Sequence, residues 1–489
     1  MTMQRRATAA TDRPHVVMVI PRGEAVRNFL YSHTLDTLSE QARVTLLSVV
    51  DDQAFRDRYG PQVDAIHSLD EHPQDGLTAR LRILAENAHD RWLWGKTAQN
   101  HWVLRDRRAR ARGAWAMWQR RAVKVGATLL GNRPAVHMLT RAERRLAHRR
   151  RPTRDFDRLF TELEPDLVFN GSHIHGLAGE LPLRVAKAMG IPTAGFIFSW
   201  DNLTSRSRIF VPYDHYLVWH HGMKRLLLSQ YDDVSAERVH ITGTPQFDFH
   251  FDSRYLLSRD ELCGRLGLDP SRPFVLYTAG IAHHFFEEHR HAHTVLRLLG
   301  LDPEHPDDGL DLPTRPQLVV RTNIKDTSPE MKALAARGLT DVHFPVPGWE
   351  PRWQTPLPED LAVYTSMLHH CALGINAAST VSLELMAFDR PVINLDYDPP
   401  GSDIPPELGY KRHITFDHYG PVAASGAVMV ARSDADMADM LFRGLTDPDE
   451  QSAARTRYLR DTFGDTLDGQ SGTRVAQCLL ALARGEAPR

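Results

Sequence analysis

The sequence predicts two facing α/β domains of the doubly wound kind, with a basic helical insertion in the first. Three observations lead there. Short, continuously apolar runs of strand length alternate with longer helical patterns, as parallel strands buried on both faces require. The alternation ends near the middle of the chain and then starts again. Finally, 489 residues are too many for one ordinary hydrophobic core.

The first run is HVVMVI at 15–20, followed by the turn Pro21-Arg22-Gly23 and helical spacing over 24–41. A second apolar strand is expected at 44–50. Long, basic, tryptophan-bearing patterns at 77–154 interrupt the rhythm and read as an insertion. Strands resume at 166–170, 193–198 and 215–219, and VHITGTP from 239 makes a strand ending in a turn. A first domain of residues 14–255 follows. The second series begins at 274–280 and continues at 317–321, 373–376 and 392–395, inside a domain of residues 256–435. Proline-rich acidic stretches at 302–316 and 345–360 are expected loops. Helical spacing returns at 434–482, and residues 436–489 are expected to pack across both domains. Ligands of such sheets sit beyond the carboxyl ends of the strands, so the loops that follow the strands are where chemistry is sought.

Composition narrows the function. Hydrophobic residues at 42% and charged residues at 25% are those of a soluble globular protein. Residues 1–13 form a polar tail with no apolar leader, and no run of about 18 apolar residues occurs, so no membrane span is expected. Cys263, Cys371 and Cys478 are odd in number, far apart and without a CxxC pair, which points to a reducing cytoplasm and away from a zinc site. The net charge of −2 conceals an asymmetry: residues 91–154 hold 18 Lys and Arg against two acids, a net +16, leaving −18 elsewhere. Five of the nine tryptophans (Trp92, Trp94, Trp102, Trp115 and Trp118) lie in or at the edge of the same segment. Arginine and tryptophan together suit an anionic membrane surface, the preferred reading. A phosphorylated acceptor, or docking against the acidic remainder of the chain, are the others. Nucleic acid is not expected, because no RNP, KH or helix-turn-helix pattern occurs.

Residues 376–398 read NAASTVSLELMAFDRPVINLDYD: a hydroxyl pair at a helix start, an acid one turn on, then an apolar strand. This segment resembles the donor-binding segment of bacterial GT-B glycosyltransferases, especially those of surface-polysaccharide assembly. VRNFL at 26–30, FSWDNLTSR at 198–206 and DGQSGTRVAQ at 468–477 agree with it. The resemblance spans the chain apart from the tail and the insertion. It implies a GT-B fold of two Rossmann-like domains and transfer of a sugar from a nucleotide-sugar donor to a hydroxyl acceptor, such as a lipid-linked glycan or polysaccharide precursor. It also implies a cytoplasmic enzyme, peripheral on the inner face of the plasma membrane through residues 91–154, that needs no metal or other cofactor. Non-hydrolysing sugar-nucleotide 2-epimerases and polymer glycerophosphotransferases share the architecture and are the alternatives. Such epimerases usually carry a Gly-Thr-Arg-Pro-Glu-like loop after the first strand, where this chain has Pro21-Arg22-Gly23-Glu24. A binding protein without turnover is the remaining alternative.

Donor contacts are expected from the second domain. The amides and dipole at the helix start of Ser379 and Thr380 suit a diphosphate, and plain N-capping is the other reading. Glu384, one turn past Thr380 on the same face, can accept hydrogen bonds from both ribose hydroxyls. Asn376 stands where retaining relatives have the first acid of a Glu-x7-Glu pair; an amide there can bind a sugar hydroxyl, and the change favours inversion. Arg321, at the end of its strand, can pair with a diphosphate oxygen. The small turn from Thr278 to Gly280 permits close approach of phosphate or base. From the first domain an inverting enzyme requires a base that works near neutral pH. Asp201 is the first choice, with turn capping as its alternative role, followed by His173 (with His175 nearby) and Glu24. Arg27, Asn28 and Asn202 are placed toward the acceptor. The tract HHFFEEHRHAH at 283–293 is dense in histidine but lacks metal-ligand spacing, and no DxD motif follows a strand.

Overall fold

The computed structural model describes residues 13–488, save 73, 151–153, 175, 176, 207, 326, 327 and 354. The expected tail, apart from its last residue, and His175 therefore lie outside the described residues. Seven parallel strands build the first sheet: β1 (His15–Ile20), β2 (Arg43–Ser48), β3 (Ala65–Ser68), β4 (Leu167–Asn170), β5 (Thr193–Phe196), β6 (His215–Val218) and β7 (Val239–Ile241). Their order is β3-β2-β1-β4-β5-β6-β7. The central strand β1 is buried at every residue, which is why its sequence is apolar throughout instead of alternating.

The second half holds β8 (Phe274–Thr278), β9 (Gln317–Arg321), β10 (Val342–His343), the antiparallel hairpin β11 (Trp349–Glu350) with β12 (Thr355–Pro356), then β13 (Leu373–Asn376), β14 (Val392–Leu395) and β15 (Met429–Ala431). Its six-stranded parallel sheet runs β10-β9-β8-β13-β14-β15. These are two Rossmann-like doubly wound domains, the predicted fold class. In each sheet the strand order reverses beside its first strand, between β1 and β4 and between β8 and β13, and there the crevice for a ligand opens. Register places Thr278 beside Arg321 on one side and Asn376 on the other, at the mouth of that crevice.

Some elements differ from expectation. The helix expected over 24–41 is three pieces, Gly23–Ala25, a π-helical turn Val26–Leu30, and His33–Gln41, because Ser32 caps a fresh helix start through Thr34 N–H. The short edge strands β3 and β10 are half-buried, which removes the apolar-run signal, and β15, at the other edge of its sheet, is buried but only three residues long. The loop expected at 345–360 contains the β11–β12 hairpin and the start of the helix Pro358–His370.

The insertion is four helices, Gly76–Leu93, Lys96–Ala111, Ala114–Leu130 and Arg133–Arg150. They enclose a small core of Ala85, Ala88, Trp102, Ala127 and Val136, joined by Phe210 from the sheet domain. The second helix begins at a glycine that has no side chain to cap it. Asp417 of the second domain supplies the cap, accepting from Lys96 N–H and Thr97 N–H, both at 3.0 Å. The insertion thus spans the two domains.

The last helix, Ser471–Ala483, returns to the first domain and packs on His33–Gln41. Gly472 makes that approach feasible, since a Cβ there would lie 2.9 Å from Ser32 Oγ. Asp248, just beyond β7, caps the helix by accepting from Ser471 N–H at 3.0 Å and Gly472 N–H at 2.6 Å. Burial pushes the Asp248 carboxyl up to about 6, against the pull of those two amides. Asp248→Ala leaves two buried donors unpaired and is expected to cost about 1–3 kcal/mol, read from urea unfolding. An unchanged midpoint would mean that water replaces the cap. Cys263, Cys371 and Cys478 are each buried and unpaired.

Candidate active site

A cavity of about 330 Å³ lies between the domains. Five of the predicted residues line it: Glu24 and Arg27 from the first domain, and Thr278, Arg321 and Glu384 from the second. Glu24 reaches it because β1 ends at Ile20 and the short helix Gly23–Ala25 turns the carboxylate toward the cleft. Its oxygens are 3.1 Å from Arg22 Nε and 3.5 Å from Lys325 Nζ, the latter across the cleft.

Glu384 stands at the junction of the domains. Gln246 accepts from Arg27 Nη2 at 2.9 Å and donates to Glu384 Oε1 at 3.4 Å. His250 Nε2 is 3.2 Å from Glu384 Oε2 but is not aligned for a hydrogen bond. Tyr364 bonds the same carboxylate; burial, and then the charge of Glu384, hold its hydroxyl well above the usual phenol range. Burial also lowers the Arg27 guanidinium, a loss that the charges of Glu384 and Glu24 oppose. A chain of polar groups therefore ties the two sheets together at the base of the cavity.

Arg321 is buried at the end of β9. Its Nη2 donates to both oxygens of Asp360, at 2.7 and 2.5 Å, which fixes the guanidinium plane. Its Nη1 is buried with no hydrogen-bond acceptor. A fixed cation with an unused donor in a cavity wall is suited to a phosphate oxygen. Thr278 spends its hydroxyl on Ile375 O at 3.3 Å, so its contribution to the wall is shape and methyl.

The helix at the tip begins later than expected, spanning Val381–Ala387 with Thr380 as its N-cap. Thr380 Oγ1 accepts from Trp200 Nε1 at 3.1 Å, so the tip meets the first domain. Two leading amides are already used: Ser379 N–H bonds Asn376 Oδ1 at 3.0 Å, and Val381 N–H bonds Ser379 Oγ at 3.2 Å. Ser379 and Thr380 thus organise the turn, aided by Ala378 in the left-handed region at φ 61°. In this arrangement Arg321 is a better phosphate ligand than the short helix tip.

Several expected residues sit elsewhere. Asn376 is buried in a network, its Oδ1 accepting from Ser379 N–H, Ser382 Oγ and Asn394 Nδ2, and it does not line the cavity. Gly280 is turned inward: its amide donates to Glu288 at 2.9 Å, and the ring of Phe285 occupies the space of a Cβ. Asn28 is buried and accepts from Arg27 Nε at 2.9 Å, so it orients Arg27. The Asp201 carboxylate accepts from the hydroxyls of Ser199 and Ser205 and lines neither this cavity nor the next. His173 and Asn202 line a second, larger cavity of about 650 Å³ between the insertion and the loops after β4 and β5. The loop after β8 is a wall of both, with Ile281 in the first cavity and His284 in the second. Gln246, His250, Asp360 and Tyr364 were not anticipated. The one signal for the first two was their place directly after β7; Asp360 fell at the end of the loop expected at 345–360, and Tyr364 lies just beyond it, in the helix Pro358–His370 that carries both.

The histidine tract scatters. His283 and His284 contact each other, while His291 packs between Tyr397 and Tyr410. Among the described residues one group has three potential metal ligands close together, Asp302, Glu304 and His305, and Asp302 there already pairs with Arg337.

Comparison with known proteins finds no matching family model and no matching curated protein. Solved structures do match over nearly the whole chain. A UDP-N-acetylglucosamine 2-epimerase, of no stated organism, aligns at TM-score 0.53 and 13% identity, covering 96% of each chain. The UDP-GlcNAc 2-epimerase of Neisseria meningitidis bound to UDP-GlcNAc aligns at 0.52 and 10%, covering 95% of this chain and 99% of that one. The MnaA–UDP complex of S. aureus aligns at 0.51 and 11%, covering 96% and 97%. At such identities the likeness is one of fold.

Proposed function

We propose that the chain is a nucleotide-sugar-dependent glycosyltransferase that works in the cleft between its two domains. The observation that carries this reading is the convergence of Glu24 and Arg27 from one domain with Arg321 and Glu384 from the other on a single cavity. The diphosphate would meet Arg321 Nη1 and Lys325, and the ribose would lie against Glu384. An acceptor hydroxyl attacks the anomeric carbon, its proton passes to Glu24, and the nucleoside diphosphate leaves. Inversion fits this assignment, because position 376 carries an amide sealed in its own network instead of the first acid of a Glu-x7-Glu pair.

The larger second cavity favours transfer over epimerisation, since an enzyme acting on the donor alone has no use for an acceptor site. Thermal shift against UDP, GDP, CDP and dTDP is the first test, because a ligand bound only by the folded state raises Tm. One of the four is expected to do so. Incubating the matching sugar nucleotide without acceptor and following it by NMR then separates the activities: an unchanged sugar agrees with a transferase, and an accumulating 2-epimer overturns it.

We also assign the insertion to an anionic membrane surface. Trp115, Trp118, Ala122, Val125 and Leu129 recur at helical spacing along one exposed face of the helix Ala114–Leu130. The two tryptophans are 68% and 59% exposed and Leu129 73%, and the indoles stack at 5.0 Å. Exposed Arg112 and Arg121 flank the stripe. Apolar wedge and basic flank together match the interfacial region of an anionic bilayer. Among the described residues no helix is long and apolar enough to cross one. Joint replacement W115S/W118S is expected to weaken binding to phosphatidylglycerol-containing vesicles at least about tenfold, since burying one large apolar side chain is worth about 1.5–3 kcal/mol. Cosedimentation equal to wild type would remove the stripe from any membrane role.

A further inference from the structure

We propose that the 650 Å³ cavity holds the acceptor by a phosphate or diphosphate ester, a reading that rests on the transferase assignment only for the word acceptor. Five arginines line this space: Arg82 and Arg105 and Arg108 from the insertion, Arg206 and Arg208 from the loop after β5. Two of them are spent on structure. Arg82 pairs with Glu180, and Arg105 pairs with Asp90 at 2.6 Å.

The other three are not neutralised. Arg108 and Arg206 are exposed to the cavity side and have no carboxylate within ion-pair distance among the described residues. Arg208 is only 8% exposed and rests on neutral groups: it donates to Thr140 Oγ1 at 2.8 Å and to Gln230 O at 3.1 Å, and stacks over Tyr231 at 4.4 Å. Asp233, whose charge reaches it, is already bonded to Arg144 at 2.6 Å. A guanidinium taken out of water without a counter-ion is costly, and an anionic ligand is the ordinary way to offset that cost.

The acids facing the cavity are Glu71, Glu86 and Glu180. Glu180 serves Arg82 and Arg184, Glu86 lies 3.8 Å from Arg82, and Glu71 accepts from Leu177 N–H at 3.3 Å. His101 and His284, from opposite domains, are held down to about 4, first by burial and then by positive neighbours that include Arg108 and Arg206 in both cases. Positive charge is therefore in excess where the insertion and both domains meet. A phosphate, with up to two charges and several acceptor oxygens, uses three guanidinium groups better than a single carboxylate does.

The site also lies in the right place. His284 lines it from the same loop whose Ile281 lines the donor cavity, so a molecule anchored here by its phosphate is one loop away from the reacting centre. Leu104, Ile174 and Ile209 supply apolar wall for whatever the phosphate carries.

The test is calorimetry on the full chain with glycerol 3-phosphate, glucose 1-phosphate and glucuronate, followed by a polyprenyl monophosphate in phosphatidylcholine vesicles. Arg108 and Arg206 are exposed, so R108S/R206S should fold as wild type does. The two phosphates are expected to bind wild type and to bind the double variant at least tenfold more weakly, while Glu384→Gln leaves their binding unchanged. Tighter binding of the polyprenyl phosphate assigns a lipid-linked acceptor; equal binding assigns a water-soluble one. Equal affinity in wild type and R108S/R206S, binding of glucuronate in preference to both phosphates, or no binding of any phosphate probe overturns the proposal. Nucleoside diphosphate binding is read separately at the other cavity, so its absence would count against the donor assignment and not against this one.

Discussion

Glu24→Gln is expected to lower kcat by about 10²–10⁴-fold, the usual contribution of a positioned general base, while the nucleoside diphosphate affinity changes little. The substitution keeps the size of the side chain and removes only its capacity to take a proton. Among the three carboxylate and imidazole candidates, Glu24 alone shares a cavity with Arg321 and Glu384. Arg22 and Lys325 each lie near one of its two oxygens, at 3.1 and 3.5 Å. Asp201→Asn provides the comparison. That carboxylate is spent on the hydroxyls of Ser199 and Ser205, so its replacement should disturb the local turn and leave kcat within about an order of magnitude of wild type. Steady-state transfer rates for both variants, with donor affinity from calorimetry, check the assignment. A dead Asp201→Asn beside an active Glu24→Gln would exchange the two roles.

From sequence Asp201 ranks first among the base candidates and Glu24 last, yet only Glu24 lines the interdomain cavity. Strand ends were legible because β1, β8 and β13 are buried on both faces and so are apolar without interruption. The rule that ligands gather at strand ends then selected Glu24, Thr278 and Arg321, the helical turn after Thr380 added Glu384, and all four meet in one cavity. What the rule cannot do is say which way a side chain turns after the strand. Gly280 and Asn376 have the expected positions, yet Phe285 fills the space over one, and a network with Ser382 and Asn394 closes around the other. The same limit hid Asp360. It acts only through Arg321, 39 residues earlier in the chain, and no local pattern encodes a contact of that separation. The edge strands β3 and β10 were missed for another reason: half-buried strands of four and two residues carry too few apolar positions to form a run.

The helical insertion has a double role in this scheme. One helix, Ala114–Leu130, turns a tryptophan stripe outward, while its predecessor, Lys96–Ala111, turns His101, Arg105 and Arg108 into the larger cavity. The basic segment thus need not choose between a membrane and a phosphorylated acceptor. Different faces of it suit the two, and Asp417 locks the second of these helices onto the second domain.

Glu384→Gln should weaken the preference for a ribose over a 2′,3′-dideoxyribose nucleoside diphosphate. A carboxylate has room for about four hydrogen bonds. Gln246 makes one long bond at 3.4 Å and Tyr364 another, and His250 is close but misaligned, so acceptor capacity remains for the two sugar hydroxyls. Hydrogen bonds to a charged group are worth about 1.5–3 kcal/mol each, so wild type should bind the ribonucleotide at least about tenfold more tightly than the dideoxy form. In Glu384→Gln the neutral amide can still meet a hydroxyl but without the charge, so the gap between the two ligands should shrink clearly, which closes a cycle between one protein group and one ligand group. Glu384→Ala is the harsher change. It strips Arg27 of the nearby charge that offsets its burial and cuts the polar link between the sheets, so a stability loss of about 3–5 kcal/mol is expected from urea unfolding. The glutamine variant separates recognition from that structural loss: if it still distinguishes ribose from dideoxyribose as wild type does, Glu384 holds the domains together and some other group reads the sugar.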